Sequence, residues 1–109
     1  MERTVNSVWN ADSTRQLSQS MAAISDVQTM QDFLRDVMTE KEIIEISARL
    51  EAAKMLDQGK KYTDIVQKTK LSSRTIARIS DWLQNGSGGY QAALKTMEHH
   101  DHIPPVRAE

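Results

Sequence analysis

The sequence predicts an all-α fold of about six helices organised around a helix-turn-helix. Three observations carry that prediction. Apolar residues recur three and four apart through most of the chain, which is the spacing of one helix face. At two places a serine or threonine stands three residues ahead of a glutamine or glutamate, just before such a stripe, as in a capping box. Aromatic residues make up only 5% of the chain against a hydrophobic fraction of 39%, a balance that suits a small helical protein with apolar stripes left for a partner subunit to cover.

Residues 1–12 are polar and unpatterned and read as a flexible N-terminal arm, with Trp9 as its one candidate for docking. A single helical domain is expected over residues 13–97. Leu17, Met21 and Ile24 recur at helical spacing from Ser13 onward. Ser25 with Gln28 reads as a capping box that restarts the helix. Val27, Met30, Leu34 and Val37 continue the stripe, with Phe33 beside it, so residues 14–38 form two helices or one bent helix. Thr39 with Glu42 is the second capping box, and acids in that first turn complement the helix dipole. The helix it opens carries Ile43, Ile46, Leu50, Ala53 and Leu56, widened by Ile44 and Met55. It runs to Gln58 and stops at Gly59.

Residues 62–83, YTDIVQKTKLSSRTIARISDWL, read as a short helix, a tight turn and a second helix. Ile65 and Val66 form the inward face of the first helix, Leu71 seals the turn, and Ile76 and Ile79 face inward on the second. Ser72 or Ser73 caps the second helix. Ser73, Arg74, Ala77 and Arg78 then point outward, and small and basic residues there suit base edges and phosphates. The turn of such a motif often contains glycine, whereas this one has Lys70, so a looser or differently shaped turn is expected. NGSGG at 85–89 ends the motif and supplies a flexible hinge. Tyr90, Ala93, Leu94 and Met97 form a last short amphipathic helix, and residues 98–109, with Pro104 and Pro105, read as a disordered tail.

The formal net charge is only −1, but the charge is unevenly placed. Over residues 60–78 the bases Lys60, Lys61, Lys68, Lys70, Arg74 and Arg78 face one acid, Asp64. A basic block on one motif of an otherwise acidic chain is the footprint of local phosphate contact. The chain has no cysteine, which excludes disulfides and thiolate metal sites. No apolar run is long enough to span a membrane and the first residues do not resemble a signal peptide, so a cytoplasmic protein without membrane contact is expected. His99, His100 and His102 around Asp101 offer metal-ligand chemistry, but nothing fixes their geometry, and neither a metal site nor a cofactor is assigned. Phosphate loops, zincin helices and nucleophile elbows are missing, and no histidine is placed to activate Ser72 or Ser73; an enzyme is not expected.

The segment MTEKEIIEISARLEAAKMLDQGK, followed by the short helix and SSRTIARIS, resembles the Trp repressor family over residues 25–97. The GSGGY after the motif resembles a branch of regulators without a defined tryptophan response. The resemblance implies a homodimer with interlocking N-terminal helices and two reading heads one DNA turn apart on a palindromic operator. It also implies a corepressor held between two arginines with help from a threonine, and Arg49, Arg78 and Thr39 fall at those places. Two places depart from the family pattern. Ile79 stands where the repressor keeps a glycine to make room for the indole, and Trp82 where it keeps a serine for the ligand's amino group. Losing both room and anchor costs several kcal/mol in order of magnitude. Free tryptophan is therefore not expected as a ligand, and Trp82 is expected to fill the equivalent space from within.

The leading functional expectation is a sequence-specific DNA-binding transcription regulator, in the sense of a repressor. In it Ser73, Arg74 and Ala77 face bases, while Thr63, Lys68, Lys70, Ser72 and Arg78 face phosphates or orient their neighbours. The alternative is a helical protein–protein interaction module whose basic hairpin docks an acidic partner. A third reading is a DNA-binding module without sequence preference.

Overall fold

The computed structural model describes residues 7–101, with side chains through Glu98. It is built from helices alone among those residues. A 3-10 turn at Val8–Asn10 precedes α1 (Asp12–Ala23), α2 (Val27–Val37), α3 (Glu40–Asp57), α4 (Tyr62–Thr69), α5 (Ser73–Asn85) and α6 (Gly89–Asp101). The all-α expectation holds, and residues 14–38 resolve into two helices rather than one bent helix. The chain divides into two compact units between Ile43 and Ile44.

The first unit is held by local hydrogen bonds. The Arg15 guanidinium donates to the carbonyls of Trp9 at 2.8 Å and Asn10 at 3.0 Å, and it pairs with the carboxylate of Asp12. The Thr14 hydroxyl donates to the Val8 carbonyl at 2.6 Å. Residues 7–12, read from sequence as part of a flexible arm, are thus a turn and a helix start clipped to α1; Met1–Asn6 lie outside the described residues. The cap of α2 also differs from the expected Ser25–Gln28 box. Asp26 is the N-cap: its carboxylate accepts from the Thr29 N–H and the Thr29 hydroxyl, both at 2.9 Å. A carboxylate is the stronger acceptor at the positive end of a helix, and Gln28 turns instead to Asp32 at 3.0 Å.

The start of α3 follows the sequence reading closely. The Thr39 N–H donates to Glu42 Oε1 at 2.9 Å, and the Glu42 N–H donates to Thr39 Oγ1 at 3.1 Å, a reciprocal capping box. At its other end, Gly59 takes φ 80°. The Lys60 N–H then reaches back to the Met55 carbonyl and the Gly59 N–H to that of Leu56, each at 3.0 Å, so the helix stops in a Schellman turn.

The second unit holds the fully buried side chains. Ala52 and Ala53 of α3, Ile65 of α4, and Ile76 and Ile79 of α5 are all inaccessible, and Leu94 of α6 is nearly so. Alanine on α3 leaves room for the branched side chains that pack with it, and each buried isoleucine contributes about 1.5–3 kcal/mol. Leu50, Val66, Leu71, Leu83, Tyr90 and Met97 pack around that cluster as half-buried neighbours. The Gln91 side-chain amide donates to the Leu83 carbonyl at 2.8 Å, tying α6 to α5 across the glycine-rich link. The α6 backbone continues to Asp101, beyond the end expected at residue 97.

Candidate nucleic-acid interface

Helices α4 and α5 and the three residues between them make the helix-turn-helix. The inward side chains Ile65, Ile76 and Ile79 lock both helices onto α3 and α6. This fixes which sides face out, because residues three and four apart share a helix face. Val66 and Leu71 close the edge of the core, as the spacing predicts.

The turn is tighter than its sequence suggests. Lys70 adopts the left-handed conformation, φ 64° and ψ 13°, and its N–H donates to the Val66 carbonyl at 2.8 Å. The Thr69 hydroxyl donates to the Ile65 carbonyl at 2.7 Å and accepts from the Leu71 N–H at 3.3 Å. The expectation of a looser turn is therefore corrected. The fold imposes on lysine the backbone that glycine would take, and Thr69 clasps it on both sides. Sequence reasoning missed Thr69; its signal was a threonine at a helix end, four residues after a carbonyl it can reach.

Of the two serines, Ser72 is the cap. Its hydroxyl accepts from the Thr75 N–H at 3.1 Å and donates to the Thr75 hydroxyl at 3.1 Å. Ser73 opens α5, and Ser73, Arg74, Ala77 and Arg78 are all exposed. Arg74 and Arg78 lie four apart on one face with Ala77 beside them. Thr63, Lys68 and Lys70 are exposed as well. Tyr62, at the head of α4 next to Lys60 and Lys61, is a further exposed residue that sequence reasoning passed over.

Ion pairing sharpens the picture. Arg15–Asp12, Arg49–Glu45 and Lys54–Glu51 form ion pairs. Lys60, Lys61, Lys68, Lys70, Arg74 and Arg78 enter none of them, so the cations of the motif present unneutralised charge to solvent. Such a face attracts a polyanion and binds it in a salt-dependent way.

The residues at corepressor-like positions divide. Thr39 belongs to the first unit, where its hydroxyl serves the capping box. Arg49 and Arg78 belong to the second. Arg49 is half-buried and pairs with Glu45 at 3.3 Å. Burial raises the Tyr90 phenol above its ordinary pKa of 10.0, and the Arg49 guanidinium draws it part of the way back. Ile79 is inaccessible within the core. Trp82 is 44% exposed, so within the chain it is Ile79, and not the Trp82 indole, that fills space from inside.

An all-helical chain whose capped second helix carries an open basic face beyond a three-residue turn is a helix-turn-helix protein. Comparison with known sequences narrows the class. The family model described as Trp repressor protein matches residues 12–98, and the chain belongs to the Trp repressor family, a family of DNA-binding regulators rather than enzymes. The uncharacterized protein YerC of Bacillus subtilis (strain 168) is 35% identical over 83 residues, which cover 76% of this chain and 80% of YerC. Among solved structures, a TrpR-like protein from Eubacterium eligens ATCC 27750 superposes with a TM-score of 0.76 at 35% identity, covering 82% of this chain and 92% of that one. A candidate Trp repressor from Staphylococcus aureus gives a TM-score of 0.80 at 28% identity, covering 89% and 96%. No helix among the described residues is long and apolar enough to cross a membrane.

Proposed function

We propose that this chain is a sequence-specific transcription regulator, a repressor in sense, which binds a two-fold symmetric operator in double-stranded DNA as a homodimer in the cytoplasm. The observation that carries this reading is the unneutralised basic face of a helix-turn-helix whose geometry is fixed from both sides, by buried isoleucines and by the Ser72 cap. Ser73, Arg74 and Ala77 stand at the start of α5, where a recognition helix meets base edges. Thr63, Lys68, Lys70 and Arg78 surround them as phosphate contacts, and Ser72 sets the helix start. Free tryptophan is not its corepressor. Arg49, Arg78 and Thr39 keep the polar residue types of such a site, but Ile79 takes the room, and Trp82 replaces the serine. The reading heads are then set without that ligand.

The test is capture of sheared genomic DNA from the source organism by the purified protein at near-physiological salt, followed by sequencing of what is retained. Enrichment of a few sites that share a two-fold symmetric motif is expected. Uniform retention without a motif would mean binding without sequence preference. No retention by folded protein would turn the basic hairpin into a docking surface for an acidic protein.

A further inference from the structure

The helix-turn-helix holds one backbone conformation that its side chain resists. Lys70, at φ 64°, is the one non-glycine residue with positive φ among the described residues. The other two such positions, at φ 80° and φ 89°, are Gly59 and Gly88. The chain thus uses glycine where it turns left-handed elsewhere, and at the turn between α4 and α5 it keeps a long charged side chain instead. A left-handed backbone brings Cβ close to the following carbonyl, a strain that glycine escapes.

The surroundings enforce that strain. The Lys70 N–H is held by Val66 at 2.8 Å, and Thr69 bonds to Ile65 on one side and to Leu71 on the other. With Ile65 and Ile76 buried on either side of the turn, the backbone at Lys70 is fixed by its neighbours rather than by its own preference. Strain maintained in this way at an exposed side chain, in a motif whose Lys68, Arg74 and Arg78 are likewise exposed and outside the ion pairs, marks a residue kept for what it touches.

We infer that Lys70 is a phosphate anchor retained at the expense of fold stability, its backbone held by the turn so that its ammonium reaches the DNA backbone from a set point beside the start of α5. The inference rests on the DNA-binding reading above and deepens it, since it picks one cation out of the basic face and states what the protein gives up to keep it. A lysine on a fixed turn offers phosphate a point charge from a set Cα position, its flexible stem still to be ordered on binding, whereas the lysines at 60, 61 and 68 have no positive φ. Its contact carries no base information, so it strengthens binding to all sequences alike.

The test compares the full-length wild type with Lys70→Gly and with Lys68→Gln, which removes a charge from α4 and relieves no strain. The probe is a fluorescein-labelled 30-base-pair duplex of mixed sequence, titrated at several salt concentrations, and thermal unfolding is followed by circular dichroism. For Lys70→Gly the thermal midpoint should rise by about 2–6 °C. In the same variant DNA affinity should fall several-fold, and the slope of log K against log salt should lose about 0.9 for each protomer bound. Lys68→Gln should leave the midpoint unchanged. Unchanged affinity and slope in a stabilised Lys70→Gly protein would overturn the inference, as would weakened binding without any gain in midpoint. Absence of duplex binding by the wild type would overturn the DNA-binding reading and this inference with it, an outcome distinct from either of those.

Discussion

Arg74 is the second residue of α5, two positions after the capping Ser72 and two before the buried Ile76. Its side chain is exposed and enters no ion pair with a described acid. Truncating it should therefore leave the fold within about 0.5 kcal/mol of wild type, as for surface substitutions in general. Its expected effect is on binding. An arginine that reaches a guanine edge in bidentate fashion contributes about 1–3 kcal/mol of discrimination, so Arg74→Ala should weaken binding to the captured operator by that amount and relax preference at one base pair. Anisotropy titrations on matched and mutated operators read both effects, and unchanged affinity would remove Arg74 from the interface. Ile79 decides a different question at the same scale. Its branched side chain is fully buried in one cluster with the alanines of α3, so an indole seated at that point would have to displace core side chains. Calorimetric titration with L-tryptophan should show no saturable heat, and saturable micromolar binding would mean that the core opens at Ile79.

The helix starts carry the stability argument of the individual elements. Asp26 caps α2 with two hydrogen bonds, from the backbone and the hydroxyl of Thr29, and these hold its carboxyl below the ordinary value of 3.8. A carboxyl with a depressed folded pKa stabilises the fold in full above its unfolded value and loses that contribution as pH falls through the lower, folded one. The thermal midpoint of the wild type should therefore carry a component that disappears on acidification below pH 3.8. Asp26→Asn, which keeps the acceptor without the titrating charge, should lack that component while retaining the cap at neutral pH. Equal acid sensitivity in both proteins would place the titration elsewhere. The caps also show how far the sequence can be read. The Thr39–Glu42 box, the stop at Gly59 and the inward set Ile65, Ile76 and Ile79 were legible, because each depends only on spacing along one element. The choice of Asp26 over Ser25 was not, because adjacent acceptors compete for the same amide. Nor was the closed turn at Lys70, since its conformation is set by the packing of the helices on both sides and by Thr69. Periodicity likewise marked Leu17, Val27 and Val37 as an apolar stripe without saying what covers it, and the inward place expected for Trp82 rested on the resemblance alone, whereas the indole is 44% exposed.

At the scale of the molecule, the distribution of burial is uneven. Every fully buried hydrophobic side chain among the described residues belongs to the second unit. The first unit offers Leu17, Val27 and Val37, exposed at 45%, 69% and 55%, and α3 adds Ile44 and Ile46 at 61% and 54%. A unit of that size with no buried core of its own lacks the burial needed to offset the entropy of ordering its helices. Large apolar side chains exposed in such number beside a unit without a buried core of its own suit an interface. A second copy of the chain is the occupant the proposal requires, because it would present the same apolar side chains in return, as two-fold interfaces do. Light scattering should then give twice the 12.3 kDa chain mass, and the unfolding midpoint should rise with protein concentration, since association stabilises only the folded state. Charging α3 at its exposed apolar positions with Ile44→Asp and Ile46→Asp should abolish the concentration dependence and, with it, the operator affinity that two reading heads supply together. A wild type of single-chain mass with a concentration-independent midpoint would refute the dimer and leave each helix-turn-helix to bind DNA alone.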